Sequence, residues 1–336
     1  MSVTGRILIT GAAGFWGSHA IEHVLRTTDM EIVAFVRVGK VGTLERLHPI
    51  LEKYDPGNKR VEVIWHDFLS PVPKFLLHKL GRISWIIHAA AETHVDRSIL
   101  NPASFARANV MGTVHALDMA RWMQDKSSGI DRFLLMSTDE VYGPAPDGVA
   151  FTERDRHNAT NPYSAAKSGA EAIVNAYGNT YGLPVIIGNA MNLMGERQDS
   201  EKFIPKVIKA VLDGTTIPIH SDKSLKRAGT RQYLHCRNAA AAFLFLLEHG
   251  EQRNAYNVCG DREIDNLSLA QMIARIVGKP FKYEMVDFHS SRPGHDLAYR
   301  LDGTKLYEMG FRYPVDFETS LERVVKWTLE HREWLA

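Results

Sequence analysis

The chain has little cysteine, no long apolar run and no block of like charge, and each shortage closes a class of function. Its two cysteines, Cys236 and Cys259, carry no metal-ligand spacing and cannot staple a chain of 336 residues. They read as reduced structural thiols, and no metal site is expected. Nowhere do the roughly 18 consecutive apolar residues of a membrane-spanning helix occur. The opening segment "MSVTGRILITGAAG" lacks a charged n-region followed by a long apolar core, so a cytoplasmic location is expected. Basic and acidic side chains nearly balance, 40 against 39, for a net charge of +1. Neither nucleic acid nor a membrane is therefore an expected partner, while a small anionic ligand stays open.

What is present is alternation. Short apolar runs stand at 6–10, 31–36, 61–65, 84–90, 132–137 and 183–190, and helical patterns at 18–26, 102–124 and 162–181 lie between them. Near-continuous apolar strands alternating with amphipathic helices predict an α/β fold, a doubly wound parallel sheet covered on both faces. After residue 190 the rhythm loosens into polar loops, short strands and helices near 203–212, 238–249 and 267–276. The expected organisation is a Rossmann-like dinucleotide-binding domain over 1–190 and a smaller, interleaved α/β lobe over 191–336. Residues near 238–258 are expected to return to the first domain. The one basic cluster, "SDKSLKRAGTRQ" at 221–232, reads either as a solvated loop or as an anion-binding one.

Directly after the first strand, "ILITGAAGFWGSH" presents Gly11, Gly14 and Gly17. Glycines there permit a tight turn and let backbone N–H groups approach a pyrophosphate at the positive end of a helix. The loop follows a strand, opens a helix and heads a βαβ series, which is the context such a fingerprint requires. At the end of the second strand, "AFVRVGK" offers Arg37 and Lys40 and no acid, although a carboxylate there would accept the ribose hydroxyls of NAD. The cations suit a 2′-phosphate better, so NAD(P) is expected with a lean toward NADP. Arg37 could also pack over the adenine.

Tyr163 and Lys167, in "YSAAK", fall on one face of a predicted helix. A neighbouring ammonium lowers the pKa of a phenol, so the pair can take a proton from an alcohol. Upstream, "STDEVYG" at 137–143 follows a buried strand and places two adjacent acids at its mouth. Such an arrangement costs stability unless chemistry uses it.

The spacing of the glycines together with the Tyr/Lys pair resembles the extended short-chain dehydrogenase/reductase superfamily. The strings "STDEVYG", "ETHVDRSILNP", "NPYSAAKSGAE", "EKFIPKVI" and "RPGHDLAYRLD" resemble its nucleotide-sugar 4,6-dehydratases, those acting on dTDP-glucose above all. The resemblance implies that Thr138, Tyr163 and Lys167 assist oxidation at carbon 4 of a hexose, that Glu140 removes the carbon 5 proton and that Asp139 protonates the leaving carbon 6 hydroxyl. It also implies cofactor contacts at Phe15, Trp16, Asp67, Phe68, Ala89, Ala90 and Ala91. Sugar-nucleotide contacts follow at His94, Asn192, Lys202, Phe203, Pro218, His220, Arg231 and Arg292. A homodimer through the helices at 102–124 and 162–181 is implied as well. "NAMNL", "RQYLHC" and His220 depart from the dTDP-glucose pattern, so uridine and thymidine both stay open. A 4-epimerase or a UDP-glucuronate decarboxylase would share the Tyr/Lys pair without needing the acid doublet. A non-catalytic dinucleotide sensor would typically have lost the Tyr or the Lys.

Overall fold

The computed structural model describes residues 5–37, 44–126, 129–287 and 298–336. The chain divides into two compact units, Met1–Val141 with Asn161–Asn189 and Ala240–Tyr256, and Tyr142–Thr160 with Ala190–Ala239 and Asn257–Ala336.

The first unit is built on a seven-stranded sheet. Its strands are β1 (Arg6–Thr10), β2 (Glu31–Val36), β3 (Val61–Trp65), β4 (Trp85–His88), β5 (Arg132–Thr138), β6 (Val185–Ala190) and β7 (Asn254–Val258). They lie in the order β7-β6-β5-β4-β1-β2-β3. β1 runs parallel to β2 and β4, β2 to β3, and β4 to β5. The expected doubly wound α/β fold is therefore present. Strands such as "RILIT" and "VIIGNA" are apolar along their length because helices cover both faces, and nearly all their residues are buried. The core on one face joins Leu8, Phe35, Ile86 and Phe133 of the sheet to Leu117, Ala120 and Val174 of the helices. Strand order reverses between β1 and β4, so the crevice outside their carboxyl ends is where such a sheet takes ligands.

Helix Pro162–Tyr181 has the extent its sequence predicts, because its signals are local. Asn161 and Ser164 form a reciprocal capping box, Pro162 opens the first turn and Gly182 closes the helix in the left-handed region. The pattern at 102–124 predicts one helix, yet the chain forms Pro102–Ala106, a π turn Arg107–Met111 and a helix Gly112–Lys126. The π turn carries Asn109, whose buried side chain leaves the helix to bond the backbone of Glu92.

The second unit packs helices Phe203–Asp213, Asn266–Val277 and Phe317–Glu330 around Ile208, Ile219, Leu269, Ile273 and Leu321. Residues 142–160, which the sequence reading places with the first domain, lie in this unit. Tyr142 stacks on Phe151, Phe151 bridges to Leu301, and Asn257 donates its amide to Glu153. The pattern of apolar runs could not reveal this, because the segment forms no long element and is held by single residues far away in the chain. Both cysteines are buried and free. Among the described residues, no cluster of metal-ligating side chains occurs.

Candidate active site

The glycine loop lies at the switch point of the first unit. Gly11 follows β1 with φ +66°, and a Cβ there would press against the Ala90 backbone at 3.0 Å. A Cβ on Gly17 would meet the Gly11 carbonyl and Ala12, so helix Phe15–Thr27 can approach the loop only with glycine at that position. Gly14 caps this helix in extended conformation with no side chain on its first-turn amides. Those amides and the helix dipole are what a pyrophosphate needs. Trp16 is buried and packs on Phe243 at 5.2 Å, so the core holds its ring and the first turn contributes backbone. Phe15 packs on His19 of its own helix.

Thr10 ties the loop after β4 to the glycine loop. Its hydroxyl oxygen accepts from the amides of Ala89 (3.1 Å) and Ala90 (3.0 Å) and lies 2.9 Å from His88 Nδ1. Burial, aided by the Lys167 charge, pushes the pKa of His88 down to about 3, so its ring is neutral. Ala89, Ala90 and Ala91 are partly exposed, and the backbone of Ala89 and Ala90 stands beside Gly11. Phe68 is buried among Phe35, His66 and His88, and Asp67 accepts from the Leu69 amide at 3.0 Å. Arg37 does not stand free at the end of β2. Its guanidinium donates to Glu92 Oε1 at 2.9 Å. Lys40 lies outside the described residues.

At the end of β5, Thr138 donates to Asp139 Oδ1 at 3.0 Å, and Glu140 accepts from the Asn161 side chain at 3.2 Å. Asp139 is buried and Glu140 half-buried. Tyr163 sits under Val95 and Phe105, with its amide donating to Ser98 at 3.2 Å. Burial raises its phenol's pKa, the charges of Glu140 and Asp139 add to the rise, and a hydrogen bond with Thr138 opposes it. The doublet therefore lies close enough to feel the phenol. Lys167, one turn later, donates to the Met136 carbonyl at 2.6 Å. Burial pulls its pKa down to about 8, and the Glu171 charge pulls it up. The bond to Met136 anchors Lys167 on β5.

Several residues that sequence reasoning passed over complete this arrangement. Glu171 is buried and accepts from Ser137 and, at 2.8 Å, from Asn189. Its signal lies in "YSAAKSGAE", a carboxylate one turn beyond the lysine on the same face. Asn161, which caps the helix and holds Glu140, was readable as a cap but not as a partner of the doublet. Thr10 and His88 gave no signal, because a strand-end hydroxyl and a buried histidine are ordinary in any sheet.

The remaining expected contacts are placed as follows. His94 caps helix Val95–Leu100 through its ring, which accepts from the Arg97 amide at 3.4 Å. In the second unit, Asn192 accepts from the Leu234 amide at 2.9 Å through its carbonyl, while its buried side-chain oxygen has no hydrogen-bond partner among the described residues. Arg231 stacks over Tyr299 at 4.7 Å from its ring centre. Pro218 and His220 lie on one face of strand Thr216–Ser221, and the His220 carbonyl accepts from Gly229 at 3.1 Å. Lys202 precedes helix Phe203–Asp213, which Phe203 opens. Arg292 lies outside the described residues. This unit thus brings Asn192, His220 and Arg231 onto neighbouring segments. Of the basic cluster at 221–232, Arg227 pairs with Asp147 at 2.8 Å, so at least that cation serves the loop itself.

Comparison with known proteins places the whole chain among relatives. The chain is 36% identical to a trifunctional UDP-glucose 4,6-dehydratase/UDP-4-keto-6-deoxy-D-glucose 3,5-epimerase/UDP-4-keto-L-rhamnose-reductase of Arabidopsis thaliana over 98% of its length, and spans about half (48%) of that protein. It is 34% identical to the dTDP-glucose 4,6-dehydratase of Salmonella typhimurium, covering 98% of this chain and 94% of that one. Among solved structures, the dTDP-glucose 4,6-dehydratase of Streptomyces venezuelae, with NAD bound, superposes with a TM-score of 0.85 at 32% identity, over 98% of both chains. Residues 7–259 match the model of the NAD dependent epimerase/dehydratase family. With that match running from β1 to just past β7 and taking in the glycine loop, the acid doublet and the Tyr/Lys helix, the chain belongs to the NAD dependent epimerase/dehydratase family.

Proposed function

We propose that this chain is a nucleotide-sugar 4,6-dehydratase, a hydro-lyase that converts an NDP-hexose to its 4-keto-6-deoxy form. The observation that carries the reading is the doublet Asp139–Glu140 at the end of β5, Asp139 bonded to Thr138 and Glu140 to Asn161, the cap of the helix that bears Tyr163 and Lys167. Oxidation at carbon 4 alone needs an acceptor for one proton. Elimination of water across carbons 5 and 6 needs a further base and a further acid, and the doublet supplies that second pair. The relatives at 34–36% identity that carry 4,6-dehydratase names support it.

The residues fit a nicotinamide dinucleotide: a cradle that side chains would fill at Gly11 and Gly17, uncapped first-turn amides, and a loop of alanines held by Thr10. Bound in that cradle, it would supply a hydride acceptor for carbon 4 and a hydride donor for carbon 6. We assign it as NAD, on the Arg37–Glu92 pair and on the NAD in solved dehydratases. Of the two cations behind the lean toward NADP, Arg37 is paired with Glu92 and Lys40 lies outside the described residues, and the NAD in solved dehydratases gives that lean no support.

The chain's own groups divide the work. Tyr163, hydrogen-bonded to Thr138, takes the proton of the carbon 4 hydroxyl as its phenolate, the form that the Lys167 ammonium one turn later favours against burial and the charges of the doublet. The resulting ketone acidifies carbon 5. Glu140, held by Asn161, removes that proton, and Asp139 protonates the hydroxyl that leaves carbon 6. This division requires Asp139 to begin protonated and Glu140 ionised. Asn192, His220 and Arg231 hold the nucleoside diphosphate, for which a guanidinium fork is suited. A homodimer through the stretch 102–124 and helix Pro162–Tyr181 is part of the proposal, supported by the exposed apolar side chains of Met111 and Tyr181.

The test is incubation with UDP-, dTDP-, GDP- and CDP-hexoses followed by mass spectrometry. Loss of one water from at least one of them, without net consumption of added dinucleotide, is expected. Inversion at carbon 4 with no loss of mass would favour an epimerase.

A further inference from the structure

The Arg37–Glu92 pair has an unusual position. Arg37 directly follows β2 and Glu92 lies in the loop after β4, and these strands flank β1 on opposite sides. The 2.9 Å contact therefore crosses the carboxyl end of β1, over the glycine loop. In a sheet of this kind the residue ending the second strand meets the adenosine ribose, where an acid receives the 2′-hydroxyl and an arginine receives a 2′-phosphate. Here both chemistries are present and occupied with each other.

Glu92 is also launched from a fixed point. Its amide donates to Asn109 Oδ1 at 2.8 Å, and Asn109 Nδ2 donates back to its carbonyl at 3.0 Å. Asn109 is 1% exposed and belongs to the π turn that interrupts the helical stretch after residue 101. Single π turns concentrate at functional sites. An ion pair as exposed as this one, with side chains 36% and 23% accessible, adds little to stability. A buried clamp on one partner is more than a surface pair needs.

We propose that Glu92 is the residue that selects the unphosphorylated dinucleotide. By holding the Arg37 guanidinium it removes the cation a 2′-phosphate would use. The end of β2 bears no acid, so Glu92 reaches over from the loop after β4 to neutralise that cation. The inference rests on the reading that this crevice holds a nicotinamide dinucleotide.

The test is equilibrium titration of the full chain with NAD and with NADP, followed by tryptophan fluorescence, in a double-mutant cycle. Native protein should prefer NAD. Glu92→Gln should tighten NADP relative to NAD by about 5- to 30-fold, the effect of one modest charge interaction. In the Arg37→Gln background the same change should do little. Arg37→Gln alone should barely alter NADP affinity, because its guanidinium is already taken, and this variant serves if Glu92→Gln fails to fold. An unchanged NADP/NAD ratio in Glu92→Gln, a gain that persists without Arg37, or a large NADP loss in Arg37→Gln alone would overturn the assignment. Binding of neither dinucleotide by native protein would instead remove the cofactor reading, and this inference with it.

Discussion

Glu171 lies one helical turn beyond Lys167, and its buried carboxylate raises the pKa of the ammonium that burial pulls down to about 8. His88, which also feels the Lys167 charge, is neutral. If protonated Lys167 is the working form, activity should fall as pH rises through about 8. Glu171→Gln removes the charge and keeps the shape, so Lys167 should lose its proton at lower pH and the alkaline limb of kcat should move down with it. Glu171→Asp should restore part of the shift. A limb that stays in place in Glu171→Gln would leave the carboxylate with packing and hydrogen bonding only.

The doublet separates dehydration from oxidation. Glu140→Gln should still oxidise carbon 4, so a single turnover should trap reduced nicotinamide and a 4-keto sugar. Asp139→Asn should also oxidise, and should exchange the carbon 5 hydrogen with deuterated water faster than it releases water. Each loss should slow its assisted step by about 100- to 10,000-fold. Dehydration at near-native rate in both variants would make the acids structural.

Tyr163→Phe keeps the ring under Val95 and Phe105 and leaves the amide bond to Ser98 intact. The fold should therefore lose no more than the phenol's hydrogen bond, about 0.5–1.5 kcal/mol. The first hydride transfer should be lost, with no reduced nicotinamide formed on mixing with sugar nucleotide. Reduction at native rate would move the role of base to another group.

Gly17→Ala should show that the helix and loop are in contact rather than merely near. The added Cβ would lie 2.9 Å from the Ala12 backbone and against the Gly11 carbonyl. Both are main chain and cannot swing aside, so about 1–3 kcal/mol of destabilisation is expected. This outweighs the gain of about 0.5–1 kcal/mol that alanine normally brings inside a helix. Thermal melts should fall, and the upward shift on adding NAD should shrink. An unchanged melt and an unchanged NAD shift would place the loop further from the helix.

The sheet, the glycine turn and helix Pro162–Tyr181 were legible in the sequence because their causes are local. Apolar runs of strand length bury on both faces, Asn161 and Ser164 cap their own helix, and Tyr163 and Lys167 share a face by spacing alone. The acid doublet was legible as an expense that needed a reason. Tertiary structure decided what those residues touch. Lys167 meets the carbonyl of Met136, Glu171 joins Ser137 to Asn189, and Arg37 finds Glu92 across the end of β1, all between residues 18 to 55 positions apart. Residues 142–160 join the second unit for the same reason, through Asn257 and Leu301 more than 100 positions away. Propensity and spacing act along the chain over a few residues. An ion pair or a shared hydrogen bond depends on which strand ends the sheet order makes neighbours, and that order belongs to the folded chain.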